Sequence, residues 1–239
     1  AMNDRMWGHP QTTRNVAHLR ELGYYLLDPD VGDLAVGEGF GPGRMPEPET
    51  ILTHAARLLE GHLPLSGRTI VVTAGPTREA VDPVRFLSNR SSGKMGVAIA
   101  EAAWRRGAIV KLIAGPLGIT PPSVLEVEHV TTTEEMRAAV ARVLPTADVL
   151  VMAAAPSDFR PVTVSGSKIK KSGAPEAIAL APTADIRRDT MSMRRPGAVI
   201  VGFALETDNV LANGAAKLAA KGLDLIVVND ARESGAGFE

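Results

Sequence analysis

The residues best suited to chemistry lie in a few short stretches. Ser91-Ser92-Gly93-Lys94-Met95-Gly96 places two hydroxyls and two glycines where a helix is expected to begin, and the free amides of a helix start favour an anion such as phosphate or carboxylate. A Walker A loop would need a glycine and a Ser or Thr where this chain has Ser88 and Met95. The glycines also fall too far beyond the first expected strand for a dinucleotide fingerprint. A phosphate cradle and a plain capped turn both fit the stretch. Lys168-Ile169-Lys170-Lys171 offers flexible point charges that would offset a nucleoside triphosphate, or a solvated basic loop. Asp158, after an Ala-rich strand end, suits a magnesium ion, a ribose hydroxyl or a loop cap. Lys217 and Lys221 are four apart and project from one helix face, toward an anion or toward solvent. Phe203 closes an apolar run, where a ring either stacks on a base or packs in the core. The histidines at 9, 18, 54, 62 and 129 show no metal-ligand spacing.

The elements that must position these residues follow from hydrophobic periodicity. From Arg68 onward, short β-branched runs alternate with Ala-rich helical ones, the order of a parallel sheet with crossover helices. Strands are expected over 69–74, 109–114, 125–130, 149–154, 199–203 and 225–228, and helices over 93–106, 133–144 and 208–221. Thr132 and Glu135 have the spacing of a capping box. The unit reads as an α/β, doubly wound, mostly parallel Rossmann-like sheet, which binds ligands beyond the carboxyl edge at the switch in strand order. The connections 75–92 and 155–174 are expected to be long loops at that edge.

Residues 1–62 read differently. A helix is expected over 11–22 with Val16, Leu19 and Leu22 on one stripe, then a Gly- and Pro-rich loop over 32–48. A second helix over 49–60 would turn Ile51, Leu52, Ala55, Leu58 and Leu59 inward. The expected division is 1–62 and 63–239.

Composition narrows the function further. The chain has 239 residues, 45% of them apolar, a net charge of −1 and no cysteine. It is long enough to bury a real core. No disulfide, thiolate metal site or thiol nucleophile is available, and no whole-protein positive field exists to gather nucleic acid or anionic lipid. The apolar runs fall short of the ~18 residues a membrane span needs. The expectation is a soluble, cytoplasmic protein.

Read together, Thr73-Ala74-Gly75-Pro76-Thr77-Arg78-Glu79, Asp82-Pro83-Val84-Arg85-Phe86 and Ser88-Asn89-Arg90-Ser91-Ser92-Gly93-Lys94-Met95-Gly96 closely resemble bacterial phosphopantothenoylcysteine synthetase. That family forms the C-terminal half of the bifunctional decarboxylase and synthetase of coenzyme A biosynthesis. Ala153-Ala154-Ala155 leading to Asp158-Phe159, the lysine run, Gly202-Phe203-Ala204-Leu205-Glu206-Thr207 and Asp224-Leu225-Ile226-Val227-Val228-Asn229 follow in the family's order. In the first segment, Ala1-Met2-Asn3, Met6-Trp7 and Gly41-Pro42-Gly43-Arg44-Met45 resemble the last motifs of the flavin-dependent decarboxylase half. The FMN-holding portion is expected to precede Ala1, and the closing strands of the synthetase to follow Glu239.

The resemblance implies a two-step ligation. The carboxylate of 4'-phosphopantothenate attacks the α-phosphate of CTP to give an acyl-cytidylate and pyrophosphate, and the cysteine amine then displaces CMP. It implies catalytic roles for Asn89, Lys168 and Arg85, with Arg85, Asn89 and Ala155 facing phosphopantothenate. Nucleotide contacts are implied for Gly75, Ser91, Ser92, Gly93, Ala154, Asp158, Phe159, Lys168, Ala181, Pro182, Thr183, Ala184, Phe203, Lys217 and Lys221. Asp158 is the implied magnesium ligand, and a homodimer paired through the hairpin and loop region around the lysine run is the implied assembly. FMN belongs only to the intact bifunctional protein.

Three departures stand out. Val36 occupies the place of the family's proton-donating cysteine, so no decarboxylase activity is expected. Pro156 removes a backbone amide that a nucleotide could use, and Thr183-Ala184-Asp185-Ile186 replaces the usual Pro-Asp-Ile run. Two other classes compete with the ligase: a non-catalytic nucleotide-binding and oligomerisation module, and an NAD-dependent oxidoreductase resting on fold analogy alone.

Overall fold

The chain divides into two units, Ala1–Gly61 and His62–Glu239. The computed structural model describes residues 2–171, 177–206 and 209–230. Ala1, Ala174, Thr207, Asp208, Phe238 and Glu239, which figure in the sequence reading, lie outside the described residues.

The first unit holds α1 (Asp4–Trp7), α2 (Pro10–Glu21), β1 (Asp30–Asp33), β2 (Phe40–Arg44) and α3 (Pro48–Leu59). The expected loop over 32–48 is therefore corrected: β1 and β2 form an antiparallel hairpin. Gly37 and Gly39 both take positive φ at its turn, closed by the Leu34 amide donating to the Gly39 carbonyl. Glycine supplied the turn and did not abolish the strands. Val36 sits in that turn, fully exposed. The inward face expected for the second helix is also corrected. Leu52 and Leu59 are 69% and 85% exposed, whereas Thr50 and Thr53 are buried. Periodicity defines an apolar stripe but not which side of a helix its own unit covers. Leu19 and Leu22 of the first expected stripe are exposed for the same reason.

The second unit is built on β3 (Thr69–Ala74), β4 (Arg78–Ala80), β5 (Phe86–Ser88), α4 (Lys94–Arg105), β6 (Ile109–Ala114), β7 (Glu126–His129), α5 (Thr133–Val143), β8 (Val149–Met152), β9 (Phe159–Pro161), β10 (Leu180–Pro182), α6 (Ile186–Thr190), β11 (Val199–Glu206), α7 (Val210–Lys221) and β12 (Leu225–Asp230). Six strands form one parallel sheet in the order β12-β11-β8-β3-β6-β7. This is the doubly wound α/β sheet read from the sequence. Strand residues alternate between two cores. Ile70, Val72 and Ala74 pack with Val97, Ala100 and Ala103 of α4. Val71 packs on the other side with Met136, Val140 and Val143 of α5 and Ile186 of α6.

The strand order reverses between β3 and β8, which puts the segments leaving these strands at a switch point. Neither segment is the plain loop expected. Residues 75–92 contain the antiparallel β4–β5 hairpin, and β9 pairs with β10 across the lysine-bearing connection. Three-residue strands carry too little alternation to be read from sequence.

Two glycines set how closely α4 approaches the sheet. Gly93 is the left-handed residue before the helix (φ 79°) and not its first turn, since helical φ begins at Lys94. A Cβ on Gly96 would stand 2.6 Å from the Ala74 Cβ and 3.1 Å from the Thr73 carbonyl oxygen.

Candidate functional site

A cleft of about 290 Å³ opens at the carboxyl ends of β3 and β8, lined there by Thr73 and Met152, and beside Gly202, the β11 residue that pairs with Met152. The segment after β8 contributes Pro156 and Asp158, the β10–α6 connection contributes Thr183, Ala184 and Asp185, and α7 contributes Lys217 and Lys221. Phe203 packs against the α4-side core and also lines the cleft. Two lysines one helical turn apart, an aromatic ring and a carboxylate therefore converge on one space.

Other expected residues take different places. Ala154 lines the cleft and its amide donates to the Thr73 hydroxyl at 3.2 Å. Ala155 instead bridges to the first segment: its amide reaches the Gly75 carbonyl at 2.9 Å, and it pairs in parallel with Pro76. The Ser91 and Ser92 hydroxyls accept from the Gly93 and Lys94 amides at 3.3 and 3.5 Å, closing the turn that leads into α4. Phe159, Ala181 and Pro182 lie in the β9–β10 ladder. Gly75, Gly93, Arg85 and Lys168 do not line the cleft.

Asn89 reaches the cleft indirectly. Its Nδ2 donates to the Pro156 carbonyl at 2.8 Å, so the residue whose ring removes one amide supplies an acceptor that anchors the asparagine. Arg85 makes a two-bond fork with Asp82 (2.6 and 2.9 Å) and also donates to the Ile169 carbonyl at 2.6 Å. Asp82 in turn accepts from the Ile169 amide at 3.1 Å and from the Val84 and Arg85 amides at 2.8 Å each. Both backbone polar groups of Ile169, next to Lys168, are thus held by one ion pair. Burial pushes the Asp82 carboxyl up, but the Val84 amide, the Arg85 guanidinium and the Ile169 and Arg85 amides outweigh it and hold the group far below the usual carboxylate range.

Beneath the cleft runs a polar network that sequence reading missed. The Thr77 hydroxyl shares a hydrogen bond with the Thr133 hydroxyl at 2.8 Å and accepts from the Ser157 amide at 2.8 Å. Glu79 accepts from the Thr133 amide at 2.8 Å, and the Thr183 hydroxyl donates to the Ser157 carbonyl at 2.6 Å. All but Thr183 are buried. The network ties β4, the start of α5, and the segments on either side of the cleft. Asp82 had a signal, since Asp before Pro-Val-Arg has the composition of a side-chain-closed turn. Thr77 and Thr133 had none, because their partners lie 56 and 80 residues away.

The carboxylates in the cleft differ in availability. Asp185 caps α6 by accepting from the Arg188 amide at 2.9 Å. Among the described residues, no three His, Asp or Glu side chains cluster as a metal cage. Asp158 fits the other mode of magnesium binding, in which one or two carboxylates act with substrate phosphates.

Residues 65–239 match the DNA/pantothenate metabolism flavoprotein C-terminal domain, and residues 1–60 match the Flavoprotein family. The chain belongs to the first of these families. Among curated relatives, the Coenzyme A biosynthesis bifunctional protein CoaBC of Mycobacterium tuberculosis is 48% identical over 254 residues, covering all of this chain and 60% of the relative. Its Bacillus subtilis counterpart is 44% identical over 241 residues, covering all of this chain and 59% of the relative. This chain thus spans about three-fifths of their length. A cysteine/cysteine sulfinic acid decarboxylase from an unknown prokaryotic organism is 42% identical over 243 residues, covering 100% of this chain and 67% of that protein. The solved C-terminal domain of a CoaBC superposes with a TM-score of 0.61 at 40% identity, over 70% of this chain and 79% of that one. A Cab2 mutant in complex with phosphopantothenate-cysteine shares the family fold at a TM-score of 0.61 and 19% identity, over 78% of this chain and 81% of that one. Among the described residues, no helix is long and apolar enough to cross a membrane.

Proposed function

We propose that the His62–Glu239 unit joins 4'-phosphopantothenate to cysteine at the expense of CTP, as the synthetase step of coenzyme A biosynthesis. The observation that carries this reading is the convergence of Asp158, Phe203, Lys217 and Lys221 on one cleft at the switch point, in a chain 48% identical to a coenzyme A biosynthesis protein. On this reading Phe203 contacts the cytosine, and Lys217 and Lys221 offset triphosphate charge. Ala154, Thr183 and Ala184 give the cleft its shape.

In the first step a carboxylate oxygen of phosphopantothenate forms a bond to the α-phosphorus while the bond from that phosphorus to the bridging oxygen breaks, releasing pyrophosphate. In the second the cysteine amine attacks the acyl carbon, a C–N bond replaces the acyl C–O bond, CMP leaves and the amine loses a proton. Both steps need orientation and charge stabilisation more than a protein nucleophile. A chain without cysteine suffices, since the sulfur arrives with the substrate. Asn89, anchored on Pro156, orients the phosphopantothenate side. The Asp82–Arg85 pair holds the backbone beside Lys168, whose charge serves the triphosphate. Magnesium, held by Asp158 and the phosphates, would supply further charge neutralisation at phosphorus.

Homodimer formation and a cytoplasmic location belong to the same reading. The hairpins present apolar side chains for pairing, including Val84, Phe86 and Phe159. The decarboxylase name of one relative favours no second reading here: the fully exposed turn residue Val36 brings no thiol to donate a proton, and FMN enters no step of the ligation.

The test is pyrophosphate release with mass spectrometry, supplying CTP, magnesium and 4'-phosphopantothenate with and without cysteine, and ATP in parallel. Acyl-cytidylate without cysteine, and CMP only after cysteine is added, is the expected result. CTP binding with no pyrophosphate would overturn the ligase reading in favour of a nucleotide-binding module.

A further inference from the structure

Ser157 stands between Pro156, whose carbonyl anchors Asn89, and Asp158, which lines the cleft. Its peptide groups are held by a closed ring of hydrogen bonds. The Ser157 amide donates to the Thr77 hydroxyl at 2.8 Å, the Thr77 and Thr133 hydroxyls lie 2.8 Å apart, and the Thr133 hydroxyl donates to the Ser157 carbonyl over a longer 3.3 Å. A hydroxyl has one proton to give. Thr133 gives its proton to the carbonyl, so Thr77 gives its own to Thr133, and each member of the ring donates once and accepts once. The Thr183 hydroxyl takes the same Ser157 carbonyl at 2.6 Å, and the Thr183 amide takes the Asp158 carbonyl at 3.0 Å. The other polar end of Thr77, its carbonyl, accepts from the Ser88 hydroxyl at 2.7 Å. Thr77 thus grips the residue before Asn89 with its carbonyl and the residue before Asp158 with its hydroxyl. It is 0% exposed and cannot touch a ligand, so any effect on the reaction passes through those two neighbours.

We propose that Thr77 is a positioning residue for the ligation, setting Asp158 on the nucleotide side and Asn89 on the phosphopantothenate side in one register. The inference rests on the ligase reading of the cleft and adds the part that aligns its two halves. A carboxylate must meet the α-phosphorus in line, and a displacement of about 1 Å in such an approach costs on the order of 100-fold in rate. Because Thr77 contacts neither substrate, its hydroxyl governs the rate of acyl-cytidylate formation and leaves nucleotide affinity nearly untouched.

The experiment uses the 239-residue chain as wild type, Thr77→Val, Thr77→Ser, Ser88→Ala and Asp148→Asn. Single-turnover acyl-cytidylate formation and calorimetric CTP binding are measured with magnesium, and thermal unfolding is recorded alongside. Thr77→Val keeps the shape but removes the acceptor for Ser157 and the donor for Thr133; it should slow formation roughly 10- to 100-fold while CTP affinity changes by less than about threefold. Thr77→Ser, which keeps the hydroxyl, should recover the rate to within about threefold of wild type. Ser88→Ala releases the carbonyl end and should slow formation by a smaller factor, roughly 3- to 10-fold. Asp148 meets the Thr69 amide at the start of β3, away from the cleft, and Asp148→Asn should keep the wild-type rate even where it lowers the unfolding temperature. A wild-type rate in Thr77→Val would overturn the proposal and leave the ligase reading intact. Equal slowing in Thr77→Val and Asp148→Asn at a matched loss of unfolding temperature, or CTP affinity falling in step with the rate, would make Thr77 a structural brace only. Should Thr77→Val not fold, Ser88→Ala decides, and a wild-type rate there overturns the proposal. CTP binding without acyl-cytidylate in the wild type itself would sink the ligase reading and this inference together.

Discussion

The carboxylate of Asp82 accepts from the amide of Ile169, 87 residues further along the chain, at 3.1 Å. Arg85, forked onto the same carboxylate, takes the Ile169 carbonyl at 2.6 Å. Replacing Asp82 with Asn keeps the size but removes the charge that both partners use. The expected outcome is faster amide exchange around residue 169 and acyl-cytidylate formation slowed roughly tenfold, with nucleotide affinity changed much less. Hydrogen-exchange mass spectrometry and single-turnover kinetics would report the two effects separately.

Asn89 occupies a different place and should fail differently. An aspartate there would set a carboxylate oxygen against the Pro156 carbonyl in place of the 2.8 Å donor. Acyl-cytidylate should still form in Asn89→Asp but persist, because the intermediate is no longer oriented for the amine. Mass spectrometry of quenched reactions would show it; parallel loss of both steps would assign Asn89 to the first.

Stability should depend on Thr133 beyond its size. Thr133→Val leaves the Thr77 hydroxyl without that partner in a buried site. The Thr77 hydroxyl keeps the Ser157 amide, so the cost is about 0.5–1.5 kcal/mol, that of one lost hydrogen bond. Urea unfolding would measure it, with the midpoint falling and the slope unchanged.

A methyl group at Gly96 has nowhere to go, with the Ala74 Cβ at 2.6 Å. Gly96→Ala should force α4 away from β3 and destabilise by about 1–3 kcal/mol, overriding the better helix propensity of alanine. The same urea series would detect the opposite sign if the helix could yield.

Acid should weaken the second unit through three aspartates. The carboxyls of Asp82, Asp148 and Asp224 are all held below their ordinary values. For Asp82, burial opposes the shift and the Val84, Arg85 and Ile169 donors overcome it. For Asp148 the leading cause is the Thr69 amide, and for Asp224 the Ile200 amide. As pH falls, the unfolded chain takes up these protons first, near the ordinary value of about 3.9. Stability present at neutral pH should therefore decline from about pH 5 downward, through the ordinary value and on toward the folded ones. Denaturant midpoints measured from pH 7 to pH 3 would trace it, and Asp148→Asn should flatten the curve.

The central sheet was legible in the sequence because its strands are runs of β-branched residues and its helices are long enough to show a period. The capping box at Thr132 and Glu135 is present as read, with both reciprocal bonds made. The convergence of Asp158, Phe203, Lys217 and Lys221 could be expected only from the resemblance, since no spacing links residues so far apart. The β1–β2 hairpin is not legible because glycine signals a loop as readily as a tight turn, and here Gly37 and Gly39 let the chain double back. The exposed Leu52 and Leu59 show the limit of periodicity, which orders residues around a helix without saying what covers them.

The strand order also dictates when the second unit can acquire its shape during synthesis. Once residues 69–129 have emerged, β3, β6 and β7 have every partner on one side, yet the other edge of β3 waits for Val149 to pair with Ile70 and for Asp148 to meet the Thr69 amide. An open strand edge of that kind is a hazard for any nascent chain. Here the edge consists of Ile70, Val71, Val72 and Thr73. Chain-release experiments that stall translation before and after residue 152 should find the protease-resistant unit only in the later ones, because the central strand stays uncovered on one side until β8 arrives.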